Sequence, residues 1–135
     1  MIQIGEEKMK NVVVFGGGTG LSHILKGLKL FPVNVTAIIS VSDNGSSTGI
    51  LKKELNIPAI GDIGTVMTSM ANTNEDVKKL LKYRFKNGSL ENHAVKNFLL
   101  AAMYDIKGNL TDAVEVLCNL LDIKGTILPC LLYTS

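Results

Sequence analysis

Residues 12–22 read VVVFGGGTGLS, and no other stretch of the chain constrains the fold as much. Val12 to Phe15 is β-branched and aromatic with no alternating polar position, which suits a strand buried on both faces of a parallel sheet. Leu21, Ile24, Leu25 and Leu28 follow at i, i+3, i+4 and i+7, one apolar stripe of a helix. The four glycines among residues 16–20 therefore lie at a strand-to-helix turn. Glycine costs folding entropy, so such a cluster signals a geometric need. Backbone N–H groups point outward at a helix N-terminus, and the dipole there favours negative charge. Gly16, Gly17, Gly18 and Gly20 let an anion approach that backbone, and Thr19 and Ser22 add hydroxyl donors. The bland alternative is a tight turn with close helix–strand packing and no ligand, for which one or two glycines suffice.

The turn does not name its nucleotide. A P-loop has GxxxxGK[ST], and no Lys follows these glycines. The dinucleotide fingerprint GxGxxG wants a glycine where Leu21 stands. GGGTG is similar to the tubulin-like GTPase loop, but that motif ends in another glycine, here Ser22, and does not follow the first strand of its domain.

Composition sets the remaining bounds. With 135 residues, 46% hydrophobic and 19% charged, the chain suits one globular domain with a real core, or a piece of a larger one. A formal charge of +2 without a basic, aromatic-interleaved stripe argues against nucleic acid. Cys118 and Cys130 have no metal-ligand spacing, and Cys118 reads as a buried thiol in a helical pattern. The N-terminal MIQIGEEKMK is too charged for a signal peptide, and no apolar run reaches membrane-spanning length. The expected location is a cytoplasmic, reducing compartment.

Val35 to Val41, VTAIISV, is a second buried-strand pattern after a break at Pro32. Strand, helix and strand at this spacing make a right-handed βαβ unit, so both strands end at one sheet edge, where open α/β sheets bind ligands. The second strand runs into SDNGSSTG, residues 42–49. Asp43 can bind a metal ion or a ribose hydroxyl, or serve as a turn residue or helix N-cap. Gly45, Ser46, Ser47 and Gly49 complete a second phosphate-suited loop at the same edge.

Helical patterns fill the rest. Residues 61–71 open with Asp62 as an expected N-cap and bury Ile63, Val66, Met67 and Met70. A helix from Thr73 or Asn74 turns Val77, Leu80, Leu81 and Phe85 inward. Its basic residues read as a solvated face, with a phosphate-facing Arg84 the weaker alternative. In residues 91–103, His93 and Asn97 stand four apart and share one face, either a solvated polar stripe or a cleft lining. Thr111 is expected to cap a last helix that buries Ala113, Val114, Leu117, Leu120 and Leu121. TILP, residues 126–129, begins a strand.

Together GGGTGLS, SDNGSSTG, IGDI, YRF, NHAVKNFLLAAM and KGTILP resemble the CofD/YvcK-like family in one order from Asn11 to Pro129. The resemblance is closest to the YvcK branch, the gluconeogenesis factors. It implies an α/β, Rossmann-like doubly wound parallel sheet, incomplete here, with the ligand above the glycine-rich loops. Residues 1–10 become an N-terminal extension and 130–135 an atypical tail. The CofD branch implies transfer of 2-phospho-lactate onto a deazaflavin with a divalent metal such as Mg, for which Asp43 and Asp62 are the candidates. The YvcK branch implies a regulator that binds a UDP-sugar or related nucleotide and acts on cell shape and wall synthesis during gluconeogenic growth. Gly16, Gly17, Gly18, Thr19, Gly20 and Ser22 carry over as the phosphate loop. Asp43, Gly45, Ser47 and Gly49 carry over as the second loop, and Asp62, His93 and Asn97 as cleft residues.

The departures from the family pattern are specific. Ser46 and Lys96 each replace a glycine, Ile50 replaces an arginine, and Gly64 and Thr65 replace Arg and Asn. Loss of both arginines removes bidentate phosphate contacts. Family chains are longer, so further strands and much of the site are expected beyond this sequence. The sheet edge this leaves predicts self-association. No nucleophile–base pair is evident, so a nucleotide-sugar-binding regulator is the leading expectation. A phospholactate-type transferase is second, since positioning and electrostatics alone can run such chemistry. A tubulin-like GTPase is third.

Overall fold

The computed structural model describes residues 9–41 and 60–130. Strands β1 (Lys10–Gly16), β2 (Val33–Ser40) and β3 (Thr126–Cys130) form a parallel sheet in the order β1-β2-β3. Helix α1 (Gly18–Leu28) is the crossover between β1 and β2, in the register Val12 to Val35 and Val14 to Ala37. Helices α2 (Gly61–Met70), α3 (Glu75–Lys82), α4 (Val95–Lys107) and α5 (Leu110–Leu120) precede β3. The α/β, Rossmann-like reading holds: a βαβ unit starts the chain, and the glycine turn sits where β1 ends.

Burial alternates along β2, with Val35, Ala37 and Ile39 facing a core that Ile127 of β3 joins. Helix α2 packs along α1 and reaches β2 and β3, while α5 packs against α4 and β3. Ile63, Val66, Met67 and Met70 are buried as their spacing requires, and α2 is the central helix of the core. The expectation that β1 is buried on both faces fails. Phe15 is 73% exposed and Val13 53%, and Leu128 on β3 is also open. Their apolar character alone could not say how many faces of the sheet the described helices cover.

Other local expectations are corrected in the same way. Ile24, Leu80 and Leu120, read as inward, are exposed, because each sits at the margin of its helix's apolar arc. Helix α3 stops at Lys82, and Phe85 is reached by extended chain, where it stacks edge-on against Tyr83 and Phe98. The helix caps also differ. Asn74 caps α3, as one of two candidates, but Asn109 caps α5 in place of Thr111, its Oδ1 accepting from the Asp112 N–H at 2.8 Å. Strand β3 begins at TILP as expected and runs through Cys130. Cys118 is half-buried, and burial, with the Glu115 carboxylate second, pushes its thiol up to about 11.

Candidate functional site

The glycine turn joins β1 to α1 through two different backbone states. Gly17, the N-cap of α1, is extended at φ −158°, a conformation any residue adopts. Gly18 has φ +65°, the left-handed region that favours glycine. Space is the second requirement. A β-carbon on Gly17 would lie 2.5 Å from Asp62 Oδ2, and one on Gly18 3.0 Å from Oδ1. Gly17 and Gly18 are therefore bare where a carboxylate from another helix lies against them.

That carboxylate is not the N-cap expected for α2. The N-cap is Ile60, and Asp62 sits inside the first turn. A carboxylate in a first turn is favoured by the dipole of its own helix, and here it also lies at the N-terminus of α1. The N-caps of α1, α2 and α4 are Gly17, Ile60 and Ala94, none with a side chain able to accept from the first-turn N–H groups. The N-caps of α3 and α5 are asparagines that do accept. The helices that meet at this site thus start without the side-chain caps used elsewhere.

Helix α4 closes the other side. A β-carbon on Gly64 would lie 3.2 Å from Lys96 Cδ, 3.3 Å from its Cγ and 3.4 Å from Asn97 Oδ1. The Lys96 stem thus crosses α2 where α2 has no side chain. Its Nζ donates to Thr65 Oγ1 at 2.9 Å, and Thr65 donates its own proton to the Gly61 carbonyl at 3.1 Å. Burial first, then Arg84 and Lys82, lower the Lys96 amine to about 8 against an opposing pull from Asp62.

The expected site residues separate into groups. Gly17, Gly18 and Asp62 meet directly, and Asn97 lies against the same helix two residues on, at Gly64. Thr19 and Gly20 are exposed on the turn, with open space beyond Gly20. Ser22 is buried and its hydroxyl donates back to the Gly18 carbonyl at 3.1 Å, so it serves the helix rather than the cleft. His93 and Asn97 are 4% and 2% exposed, which rules out the solvated stripe. His93 precedes α4 and packs its ring 5.6 Å from that of Phe98. Arg84 is exposed and donates to the Asn92 carbonyl at 2.7 Å. Asp43, Gly45, Ser46, Ser47 and Gly49 lie outside the described residues. Among the described residues no group of three or more His, Cys, Asp or Glu could hold a metal ion.

Thr65 and Lys96 were not expected at the site. Asp62 and Thr65 stand three apart on one helical face, a spacing that could have singled out Thr65. Nothing local places Lys96 beside Gly64.

The sequence matches the family described as 2-phospho-L-lactate transferase CofD over residues 12–134. The chain belongs to the CofD family. Within that family it is 46% identical over 123 residues to a protein of Halalkalibacterium halodurans named gluconeogenesis factor, covering 90% of this chain and 38% of that one. It is 43% identical over 119 residues to the gluconeogenesis factor of Bacillus subtilis, covering 87% and 38%. A crystal structure of a Bacillus halodurans protein superimposes with a TM-score of 0.88 at 46% identity, covering 90% of this chain and 40% of that one. This CofD-family chain spans less than two fifths of the length of these curated relatives.

Proposed function

We propose that this chain binds a nucleotide sugar of the UDP-sugar type, as part of a cytoplasmic gluconeogenesis factor that regulates and does not turn its ligand over. The observation that carries the reading is the Asp62 carboxylate laid against Gly17 and Gly18, with Lys96 at the same turn of α2. A bare phosphate drawn to the start of α1 would meet a like charge. A ligand that turns hydroxyls to Asp62 and phosphates to the helix N-termini and Lys96 satisfies both groups. A nucleotide sugar carries hydroxyls and a diphosphate together. The name of the relatives supports a role in growth on gluconeogenic carbon. Cell-wall synthesis proteins are the proposed partners, and a homo-oligomer the proposed assembly. No helix of the described residues is long and apolar enough to cross a membrane.

The test is a thermal melt of the chain with UDP-glucose, with GTP and a deazaflavin as controls. Ligand at about a hundred times its Kd adds ~2.7 kcal/mol, a shift of several degrees at this size. A shift with UDP-glucose alone supports the reading, and no shift overturns it for this chain. The family description, a transferase, favours a second reading in which the site transfers phospholactate to a deazaflavin. A shift with the deazaflavin, and turnover by a longer relative, would select it.

A further inference from the structure

The amine of Lys96 is half-buried, and among the described residues it makes no ion pair, feeling Asp62 only at longer range. Among the described residues its recorded hydrogen bond goes to the neutral Thr65 hydroxyl at 2.9 Å. The ion pair recorded among those residues is elsewhere, between Lys78 and Glu75. An ammonium has three donors, so two have no acceptor among the described residues. Burying a charge is costly unless an opposite charge and hydrogen bonds compensate it. Arg84 and Lys82 add to that cost, and Asp62 offsets only part of it. The stem is nevertheless held in place. It lies over Gly64, in the space a side chain there would need, and lines an apolar crevice with Met67, Leu100 and Leu117. The first turn of α2, beside it, has no side-chain cap. A cation held partly out of water, with spare donors, beside a helix N-terminus, fits a site whose anion arrives with the ligand.

We infer that Lys96 is the residue that takes the ligand's phosphate charge at this site, reaching it across Gly64, and that Gly64 and Lys96 work as a pair. Two of the positions that depart from the family motifs are thus one feature in space. A side chain at 64 and a lysine at 96 compete for the same volume, so the cation comes from α4 because α2 is bare there. The inference rests on the reading of the cleft as a phosphate-binding site and adds to it the residue that carries the charge.

The experiment is calorimetric titration of the 135-residue chain with UDP-glucose, inorganic pyrophosphate and uridine. The proteins are wild type, Lys96→Met, Lys96→Arg and Gly64→Ala. Methionine keeps the stem and removes the charge. Gly64→Ala keeps the charge and displaces the stem. A charge-assisted hydrogen bond is lost in Lys96→Met, so affinity for UDP-glucose and pyrophosphate should fall at least about tenfold, and Gly64→Ala should weaken it in the same direction by a smaller factor. Lys96→Arg should retain most of it, and any binding of uridine should not change. Melts of the unliganded variants check folding. If Lys96→Met does not melt cooperatively, Gly64→Ala tests the same role through a smaller loss of affinity. Unchanged affinity of a folded variant for both phosphate ligands overturns the role of Lys96 and leaves the nucleotide-sugar reading standing. Lys96-dependent binding of pyrophosphate without binding of UDP-glucose does the reverse. Binding of neither ligand by wild type overturns both.

Discussion

The carboxylate of Asp62 fills the space that a side chain on Gly17 would occupy, with Oδ2 2.5 Å from where a β-carbon would stand. Gly17 is extended, so its backbone does not need glycine. Its bareness is a matter of what α2 places against it. The glycine turn and the first turn of α2 are therefore one structure, although 45 positions separate Gly17 from Asp62.

This contact predicts non-additivity. Gly17→Ala should destabilise the chain by pushing Asp62 off the turn, and the penalty should shrink in an Asp62→Ala background. The coupling expected for residues in contact is roughly 0.5–3 kcal/mol, read from a double-mutant cycle by urea unfolding. Equal penalties in both backgrounds would mean that Asp62 does not rest on the turn. Gly18→Ala should cost about 1 kcal/mol more in both backgrounds, because it adds a left-handed φ of +65° to the same contact.

The Lys96 amine titrates near 8 in the folded chain, against 10.5 when unfolded. Below pH 8 it is charged in both states, and folding bears the whole burial penalty. Between pH 8 and 10.5 the folded state releases this proton first, so the unfolded state holds more protons and stability rises with pH. Cys118 opposes it from pH 9.0 upward. Its folded value near 11 means that the unfolded thiol ionises first, which lowers stability. The clean window is pH 8 to 9. Unfolding curves there should show wild type gaining on Lys96→Met. Parallel pH profiles would show that the amine is not held down.

Gly125 begins the approach to β3 at φ +133°. A β-carbon there would lie 2.6 Å from Met70 Cε and 2.7 Å from the Val35 carbonyl oxygen. Methionine can move, but the β2 backbone cannot without loss of sheet pairing. Gly125→Ala should cost at least the 1–3 kcal/mol or so typical of overpacking, plus backbone strain, measured as a lower denaturation midpoint at unchanged m-value. A cost near zero would mean that β3 does not lie this close to β2.

Asn74 and Asn109 cap α3 and α5 through bonds of 2.9 and 2.8 Å. Replacing either by Ala should cost about 1 kcal/mol and leave ligand binding unchanged, since both caps lie outside the cleft. A melt of each variant with and without UDP-glucose checks both halves of the statement. A loss of binding on either replacement would place the cap in the site.

Local chemistry was enough to recover the elements. The glycine turn, the βαβ start and the buried stripe of α2 follow from residue type and spacing, because backbone preference and helical periodicity act over a few neighbours. The margins of the apolar arcs were not legible. Ile24, Leu80 and Leu120 look the same in sequence as buried neighbours, and only the packing partner says where a helix face ends. The open side of β1 was missed for the same reason: Val13 and Phe15 suit a buried strand, but strand propensity does not count layers.

The candidate site divides along the same line. Sequence alone determined that a glycine turn links β1 to a helix, and that Asp62, His93 and Asn97 are polar groups among apolar ones. Tertiary structure decided what they do. It set Asp62 against Gly17, turned Ser22 inward, buried His93 and Asn97, and laid Lys96 over Gly64. These are contacts between elements distant in the chain. They depend on which side chain fills which space and on which charges are brought near one another, and neither is encoded in any one stretch of residues.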